Sequence, residues 1–465
     1  MLIDENILAA HRELSACSAQ FICHIQGNPD YLSRSHYKML AKHDQSTYEF
    51  PYTLQPWPTF VDKRTSNKMS AAVIRVQGLI TSIPERLFSY NFEKMSAYFE
   101  MPINKLKTLM EGTTTSVLGS GLGRGDFILA SNGQFKCLEL NLSPDVGGWQ
   151  IGLMEQQYLK EPVIATFLDK YQIRCRPNHL FESFFSYLLR EYNKKSVGRY
   201  NDVNVAIVVP KPQKYTSLLQ LLNRVYQITL KILDPRLKGS VFICESGSLT
   251  LGHNSLLLGE SKICIIIDAA GLELPCSWST LAKNGQLQLY NGPTTEVMHN
   301  KLHLALLSEH QESELFTHEE RRAIASYIPW TRKTVPGLTN YGAEKVQLEK
   351  LALCRRERLV LKHALKGKGC DVYVGRYTAA HIWAEKIRNA LVEKVWILQE
   401  FVPSQSYYYQ IGSNECAPHH VVWGLFVFGN VYGGAWARIL PKASHLGVIN
   451  SAQGAEESSI IELDQ

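Results

Sequence analysis

Residues 137–142 alternate between apolar and polar side chains. Leucine occupies every second position, and Cys137, Glu139 and Asn141 precede or separate the leucines. A period of two predicts a strand with one face in a core, and it places Glu139 and Asn141 about 7 Å apart on the other face. That face fits a half-exposed edge strand or a hard-cation site, because Mg²⁺ prefers oxygen ligands such as carboxylates and carboxamides.

The dipeptide Asn132-Gly133 separates this strand from a second alternating run, which predicts a β-hairpin with a two-residue loop. The loop sets the pairing, so that Asp126 lies opposite Glu139 and Arg124 lies opposite Asn141. Two facing carboxylates repel each other unless a cation neutralises them. Arg124 could do so as a solvated salt bridge, or a divalent cation could lie over the pair, which is the interpretation we favour.

The remaining periodicities divide the chain into four regions. Residues 1–110 are expected to be mostly helical. Residues 111–200 contain the hairpin and a helical stretch that Pro162 must start or kink. Residues 201–295 combine three apolar strands with a helix, as in a small inserted α/β unit. Residues 296–465 begin with helices and continue with strands, so the expected fold class is α/β (α+β).

Composition limits the functional classes. The chain has 465 residues, 45% of them hydrophobic and 20% charged, as in a globular protein of several structural units. A net charge of +6 permits anionic ligands but does not favour a nucleic-acid coat. The sequence contains no run of about 18 apolar residues, so it predicts no membrane span. The acidic start does not resemble a signal peptide. Ten scattered cysteines without a Cys-x-x-Cys pair favour reduced thiols in a cytoplasmic protein.

Several familiar motifs are incomplete. The run GSGLGRGD at residues 119–126 matches neither the dinucleotide fingerprint nor the phosphate loop. Gly247 and Ser248 are not part of a nucleophile elbow. His299 and His303 lack the glutamate of the zinc-protease pattern. Hydrolase, P-loop and zinc-enzyme functions therefore find no support.

A second constellation follows in LVLKHALKGKGCDVYVG, where an apolar strand ends near Lys362 and a loop contains Gly367 and Gly369. Lysines and backbone N–H groups in such a loop suit phosphate oxygens, although a basic surface hairpin has the same pattern. The segment WILQEFV fits either a buried strand or one whose backbone contacts an adenine edge. Lys301 precedes an apolar helical stretch, where a buried cation would need an anion.

These pieces together resemble the circularly permuted ATP-grasp ligases, in particular eukaryotic-type glutathione synthetase and glutathionylspermidine synthetase. The resemblance rests on several motifs in order along residues 100–465: GRGDFILASNGQFKCLELNLSPDVGGW, HNKLHLALL, LVLKHALKGKGCDVYVG, WILQEFV, WGLFVFGNVYGGAWAR and HLGVINSAQGA. The Glu-x-Asn motif precedes the lysine strand, whereas ordinary ATP-grasp chains have the lysine first. The resemblance implies a permuted ATP-grasp fold with an inserted α/β substrate domain and a lid.

The resemblance also implies a role for each matching residue. Glu139 and Asn141, with Asp126 as a further candidate, would bind Mg²⁺ together with ATP. The other implied roles are nucleotide contacts by Lys301, Lys362, Gly367 and Gly369, an adenine frame of Gln399, Glu400 and Val402, and binding of substrate carboxylates by Arg124 and Arg438.

One position departs from the family. Close relatives carry a glutamate, the third metal ligand, four residues after the strand lysine, and this chain has Lys366 there. Asp371 or Asp126 could take its place, or a single Mg²⁺ could bind. The departure affects the expected catalytic competence more than nucleotide binding.

The expected function is an ATP-dependent ligase that joins a small-molecule or peptide carboxylate to an amine through an acylphosphate. Two alternatives stay open: a non-catalytic nucleotide-binding protein, and a kinase that stops after phosphate transfer. The resemblance also allows a homodimer. The motifs give no reason to expect a nucleic-acid or membrane partner.

Overall fold

A computed structural model describes most of the chain. The described residues are 4–27, 40–43, 46–50, 52–111, 118, 121–143, 146–149, 151–176, 180–195, 201–270, 275–290, 294–367, 369–412, 415–444 and 447–464. Helices and strands alternate irregularly among them, which confirms a mixed α/β fold. No helix in these ranges is long and apolar enough to cross a bilayer.

The longest helix, Lys63–Arg86, illustrates how the sequence forms these elements. Asp62 caps it by accepting a hydrogen bond from the Thr65 backbone at 2.7 Å. Its apolar residues recur at helical spacing and are buried on one side. Within the described ranges, the other helices are Glu5–Leu14, Ala16–Gln26, Phe92–Phe99, Ile103–Met110, Ile151–Lys160, Pro162–Lys170, Leu180–Lys195, Thr216–Leu233, Cys276–Lys283, Thr295–Met298, Leu302–Glu309, His318–Tyr327, Leu348–Cys354 and Ala380–Glu393.

An eight-stranded sheet contains the predicted hairpin. Its main path runs, neighbour to neighbour, through Thr59–Val61, Glu456–Leu463, Val431–Pro441, Glu415–Phe428, Leu122–Leu129 and Phe135–Asn141. The remaining two strands, Ser406–Ile411 and Cys175–Arg176, pair with members of this path. Hairpin strand Leu122–Leu129 therefore lies inside the sheet and is buried along its whole length.

A four-stranded antiparallel sheet carries the second constellation. Its strands, in order, are Thr331–Lys333, Trp396–Glu400, Leu359–His363 and Val372–Val374. Lys362 pairs with Ile397 in the register of this sheet. The predicted lysine strand and the WILQE strand are thus neighbours, although the paired residues Lys362 and Ile397 are 35 positions apart in sequence.

Residues 205–290 contain a parallel sheet, the expected arrangement of a small α/β unit. Its order is Gln288–Tyr290, Ile265–Asp268, Val205–Val208 and Val241–Cys244. Three short strands, Leu249–Gly252, Ser255–Leu258 and Ser261–Ile263, form a separate antiparallel sheet between two of these strands in sequence. Two-stranded pairs occur at Leu40–His43 with Ser46–Glu49 and at Leu338–Tyr341 with Glu344–Gln347.

The structure adds detail to two local predictions. Residues 1–110 are not only helical, because they also contribute the strands Leu40–His43, Ser46–Glu49 and Thr59–Val61. Pro162 separates two helices and stands at the first position of the second one, where its missing N–H costs no hydrogen bond.

The hairpin loop has three residues, so the two-residue prediction was wrong. Ala130 pairs with Gln134, and the Gly133 backbone donates to the Ala130 carbonyl at 2.8 Å. Gly133 has φ of +73°, as in a type I turn closed by a left-handed glycine. In the part of the hairpin next to this loop, each residue therefore pairs one position away from its predicted partner.

A β-bulge reverses this shift before the polar residues are reached. The register is irregular between Asp126 and Phe127, so that Leu138 becomes an extra residue without a direct partner. Beyond the bulge, Asp126 lies opposite Glu139, and Arg124 opposite Asn141, as predicted. The loop error and the unforeseen bulge therefore cancel at the site. The bulge also turns Cys137 into the core and leaves Leu138 half-buried, contrary to the predicted alternation.

The aromatic residues near the hairpin belong to the core. Five of them are at most 3% exposed, namely Tyr407, Tyr408, Tyr409, Trp423 and Trp436.

Replacing Gly133 by alanine should lower the free energy of unfolding by about 1 kcal/mol, because a Cβ strains a left-handed backbone. Gly78→Ala is the matched control. Gly78 lies inside helix Lys63–Arg86, and a methyl group added there would have no described atom within 4 Å, so the same change should stabilise by about 1 kcal/mol. Urea unfolding of both variants tests the assignment; equal shifts of the same sign would contradict it.

Candidate functional site

Lys362 connects the four-stranded antiparallel sheet with the eight-stranded sheet. Its Nζ donates to the Gln399 side-chain oxygen at 2.7 Å within the four-stranded sheet. The same Nζ donates to the Leu138 carbonyl of the eight-stranded sheet at 3.1 Å. Leu138 is the bulge residue, so the irregularity of the hairpin places this carbonyl within reach. Lys362 is 7% exposed, and both contacts compensate for the loss of water around its charge.

Lys301 brings a second ammonium group to the same place. The residue caps helix Leu302–Glu309, and its backbone N–H donates to the Ala364 carbonyl at 3.0 Å. Its Nζ donates to the Lys366 carbonyl at 2.7 Å and lies 3.4 Å from Glu139 Oε2. The buried-cation prediction for Lys301 is therefore confirmed, with Glu139 as the anion.

Glu139 is held in its ionised form. Burial by itself would raise the pKa of this carboxyl, but the charges of Lys301 and Lys362 outweigh burial. Contacts with the side chains of Asp126 and Asn141 add smaller effects in the same direction, so the pKa lies well below its usual range. Asn141 Nδ2 donates to Glu139 Oε1 at 3.1 Å, which fixes the orientation of the carboxylate.

The pair of Glu139 and Asn141 fits part of a Mg²⁺ coordination shell. Mg²⁺ is commonly bound by one or two carboxylates together with substrate phosphates. Within the described ranges, no group of three His, Cys, Asp or Glu side chains could hold a metal on its own. The Asp371 carbonyl accepts a hydrogen bond from the His363 backbone at 3.0 Å, and within the described ranges Asp371 belongs to no group of three metal-ligating side chains. Glu139 and Asn141 could supply two oxygen ligands to a Mg²⁺ that is also bound by substrate phosphates, and this role stays a prediction.

Two arginines contact Asp126, the residue that lies opposite Glu139 in the hairpin. Arg124 donates through Nε and Nη2 to the two Asp126 oxygens, at 2.9 and 3.2 Å. Arg438 Nη2 lies 2.6 Å from Asp126 Oδ2. All three side chains are at most 7% exposed. Both Asp126 oxygens are engaged by the two arginines, and the role of Asp126 as a metal ligand stays a prediction.

The glycine-rich loop lies against the loop of residues 447–454. Gly369 has φ of +72°, and a Cβ there would lie 2.7 Å from Gln453 Nε2 and 2.9 Å from Val448 Cγ1. A Cβ added at Gly367 would have no described atom within 4 Å, so space alone does not require glycine there. Lys366 is exposed and contributes its carbonyl to Lys301. Lys368, the other lysine of this loop that was expected to suit phosphate oxygens, lies outside the described residues.

The residues predicted to frame an adenine adjoin the lysines. Gln399 uses its side chain within the chain, accepting from Lys362 and donating to Thr331 Oγ1 at 3.2 Å. Glu400 ends its strand and its N–H donates to the Trp330 carbonyl at 2.8 Å. Val402 follows in the connection after the strand. Their contact with an adenine stays a prediction.

The sequence missed two parts of this site. The Leu138 carbonyl binds Lys362 only because of the bulge, and nothing in the local sequence signals a bulge. The hydrogen bond by which the Gln399 side chain holds Lys362 was also missed. A polar residue beside the buried Lys362 on the neighbouring strand was a usable signal for it.

Comparison with known proteins addresses the fold. No protein-family model matches the sequence, and no curated protein matches it. Among solved structures, a glutathione synthetase-like effector from Globodera pallida, solved in its apo form, matches with a TM-score of 0.58. The match covers 95% of this chain and 97% of that chain, at 12% identity. The chain has a glutathione synthetase-like fold. At this identity the likeness concerns the fold and leaves the reaction open.

Binding of MgATP should weaken as the pH rises above 8. Burial, opposed in part by Glu139 and reinforced by Lys301, lowers the pKa of Lys362 from 10.5 to about 8. Above that pH the free chain loses the charge that would attract phosphate, so the affinity should fall by up to about tenfold per pH unit. Calorimetric titrations of MgATP between pH 7 and 9.5 measure the slope.

Lys362→Arg is the control, because a guanidinium keeps its charge over the whole range. Its affinity should be nearly independent of pH, whatever its absolute value. A wild-type affinity that stays constant up to pH 9.5 would rule out Lys362 as the titrating phosphate contact.

Proposed function

We propose that this chain is an ATP-dependent ligase that joins a carboxylate to an amine. The proposal rests on one observation. Lys301 and Lys362, which suit phosphates, neutralise Glu139, and two arginines, which suit carboxylates, neutralise Asp126. Asp126 and Glu139 lie opposite each other on neighbouring strands. The glutathione synthetase-like fold supports a ligase of the ATP-grasp type. A circular permutation, an inserted substrate domain and a closing lid belong to this proposal.

The lysine half of the site would take the nucleotide. Lys301 and Lys362 would bind the phosphates, and Glu139 with Asn141 would hold Mg²⁺, which supplies charge neutralisation when bound. Lys366 would contribute charge at the loop instead of a carboxylate ligand. The expected adenine contacts come from the strand that ends at Glu400, next to the lysine strand.

The arginine half would take the acid. A carboxylate oxygen of the acid attacks the γ-phosphorus, the bond to the bridging oxygen breaks, and ADP leaves. The amine then attacks the acyl carbon, loses a proton, and displaces inorganic phosphate. Positioning and charge stabilisation are the main contributions of the protein, and no protein nucleophile is needed.

Exclusion of water would be the work of two loops. The acylphosphate hydrolyses if water reaches it, so the site must close during the reaction. Gly369 packs against residues Val448 and Gln453. These contacts support a closing role for the glycine-rich loop together with the loop of residues 447–454.

ADP release that depends on both an acid and an amine tests the proposal. A panel of amino acids and dipeptides as acids, and of amines and amino acids as acceptors, is incubated with MgATP. Glu139→Gln should lower the rate by roughly 100-fold, because it removes the charge that holds the metal and orients both lysines. Glu385→Gln, on the exposed side of helix Ala380–Glu393, is the matched control and should retain the rate.

Absence of amide formation across the whole panel, with wild-type chain that binds MgATP, would contradict the ligase. Equal rates for Glu139→Gln and Glu385→Gln would instead contradict the assigned site.

A non-catalytic nucleotide-binding protein is the second candidate. The observation favouring it is that, among the described residues, no group of three His, Cys, Asp or Glu side chains could hold a metal, while Lys366 contributes its carbonyl to Lys301. In that case MgATP should raise the melting temperature without turnover, and Glu139→Gln should change the melting shift little. The panel and the melting measurements together separate the two functions.

A further inference from the structure

A cavity of about 810 Å³ lies beside the first turns of two helices, Ala16–Gln26 and Lys63–Arg86. Pockets that bind small molecules commonly have volumes of roughly 300–1,000 Å³, so this cavity is large enough for such a ligand. Among the described residues that line it, none belongs to the lysines, arginines and acids of the candidate site. The cavity is therefore separate from the site described above.

Part of the cavity wall is apolar. Side chains of low polarity that are buried or half-buried contribute to it, namely Cys17, Ala71, Ile173, Tyr327 and Leu463. Burial raises the pKa of the Cys17 thiol to about 12, so this residue is uncharged at neutral pH. A ligand that fills the cavity gains free energy by covering this wall with apolar surface of its own.

The cavity also has a net positive charge. Its exposed lining residues include four cations, Lys63, Arg64, Lys68 and Arg174. Asp62 is the one acid among the described residues that line it. The Asp62 carboxylate accepts from the Thr65 backbone at 2.7 Å through Oδ1, and its Oδ2 lies 3.7 Å from Arg64. One carboxylate therefore faces four positive charges.

The cations around the cavity are poorly neutralised within the chain. In the part of the chain that the structure describes, the side chains of Lys63, Lys68 and Arg174 form no ion pair. Lys63 and Arg64 stand in the first turn of helix Lys63–Arg86, which contains no acid. Cations at this end of a helix oppose its dipole and repel each other. An anion bound in the cavity would reduce both unfavourable effects.

We propose that this cavity binds an amphipathic organic anion, a molecule with an apolar body and one carboxylate, sulfonate or phosphate group. The apolar body lies against Ile173, Tyr327 and Leu463, and the anionic group lies among the cations that line the cavity. A small polar anion would leave the apolar wall in contact with water, and an uncharged apolar molecule would leave the cations without a partner. The ligand therefore needs both parts. This site is independent of the proposed ligase function.

Fluorescence titration with 8-anilinonaphthalene-1-sulfonate tests the proposal. This probe combines aromatic rings with one sulfonate, and its emission rises in apolar surroundings. The wild-type chain should bind the probe saturably, and decanoate should displace it. Decanol has the same chain length without a charge, so it should displace the probe about tenfold less effectively. Added salt should weaken displacement by decanoate more than by decanol, because salt screens exposed charges.

A lysine double variant tests the charged part of the cavity. Lys63→Gln with Lys68→Gln should weaken probe binding by about tenfold, because two exposed charges contribute modestly to the attraction. Lys345→Gln with Lys350→Gln is the matched control. It removes two exposed lysines with the same spacing in sequence that do not line the cavity, so the affinity should not change.

A filled cavity tests the apolar part. Ala71 lines the cavity and is half-buried, so Ala71→Phe should place a ring in the ligand space and abolish probe binding. Ala384→Phe is the control, because Ala384 is a half-buried alanine of helix Ala380–Glu393 that does not line the cavity. It should retain binding. Melting temperatures show whether both phenylalanine variants are folded.

Four results would overturn the inference: no probe binding by the wild-type chain, equal displacement by decanol and decanoate, equal affinities for the two lysine double variants, or full probe binding by Ala71→Phe. If Ala71→Phe does not fold, the lysine variants decide, since they change only exposed side chains. Amide formation is measured separately, so failure of the ligase proposal would leave this site unaffected, and the reverse also holds.

Discussion

The site depends on one buried ammonium group. Lys362 Nζ reaches from the four-stranded sheet to the Leu138 carbonyl of the eight-stranded sheet, and Gln399 supplies its second acceptor. A buried cation is costly unless hydrogen bonds and opposite charge replace its water. Leu138 in the bulge provides a backbone carbonyl, and Gln399 on the neighbouring strand provides a side-chain amide oxygen. Glu139 provides the opposite charge. The two sheets are therefore held together where a ligand would bind.

A second constraint is the pair of facing acids. Asp126 and Glu139 lie opposite each other on neighbouring strands, so each needs its own positive partners. Asp126 has two guanidinium groups, and Glu139 has the ammonium groups of Lys301 and Lys362. This division separates the site into an arginine half and a lysine half. A phosphate donor and a carboxylate bound to these halves would be adjacent, as acyl phosphorylation requires.

The sequence anticipated the polar partners better than the backbone that presents them. Alternation and the Asn-Gly turn placed Asp126 opposite Glu139, although the loop has three residues and a bulge restores the register. A single residue of slip would have reversed the faces, and local periodicity carries no information about such a bulge. The contact between Lys362 and Leu138 joins residues 224 positions apart, which is set by packing of the two sheets. Trp436 is buried beside Arg124 and Arg438, and this position depends on Gly148 and Gly424, where a side chain would meet the ring.

A crystal structure of the chain with Mg²⁺ and a non-hydrolysable ATP analogue tests the central claim most directly. We expect phosphate oxygens to be bound by Lys301 and Lys362, and a metal ion to be coordinated by Glu139 and Asn141. An analogue bound elsewhere, or phosphates held without any metal contact to Glu139, would contradict it.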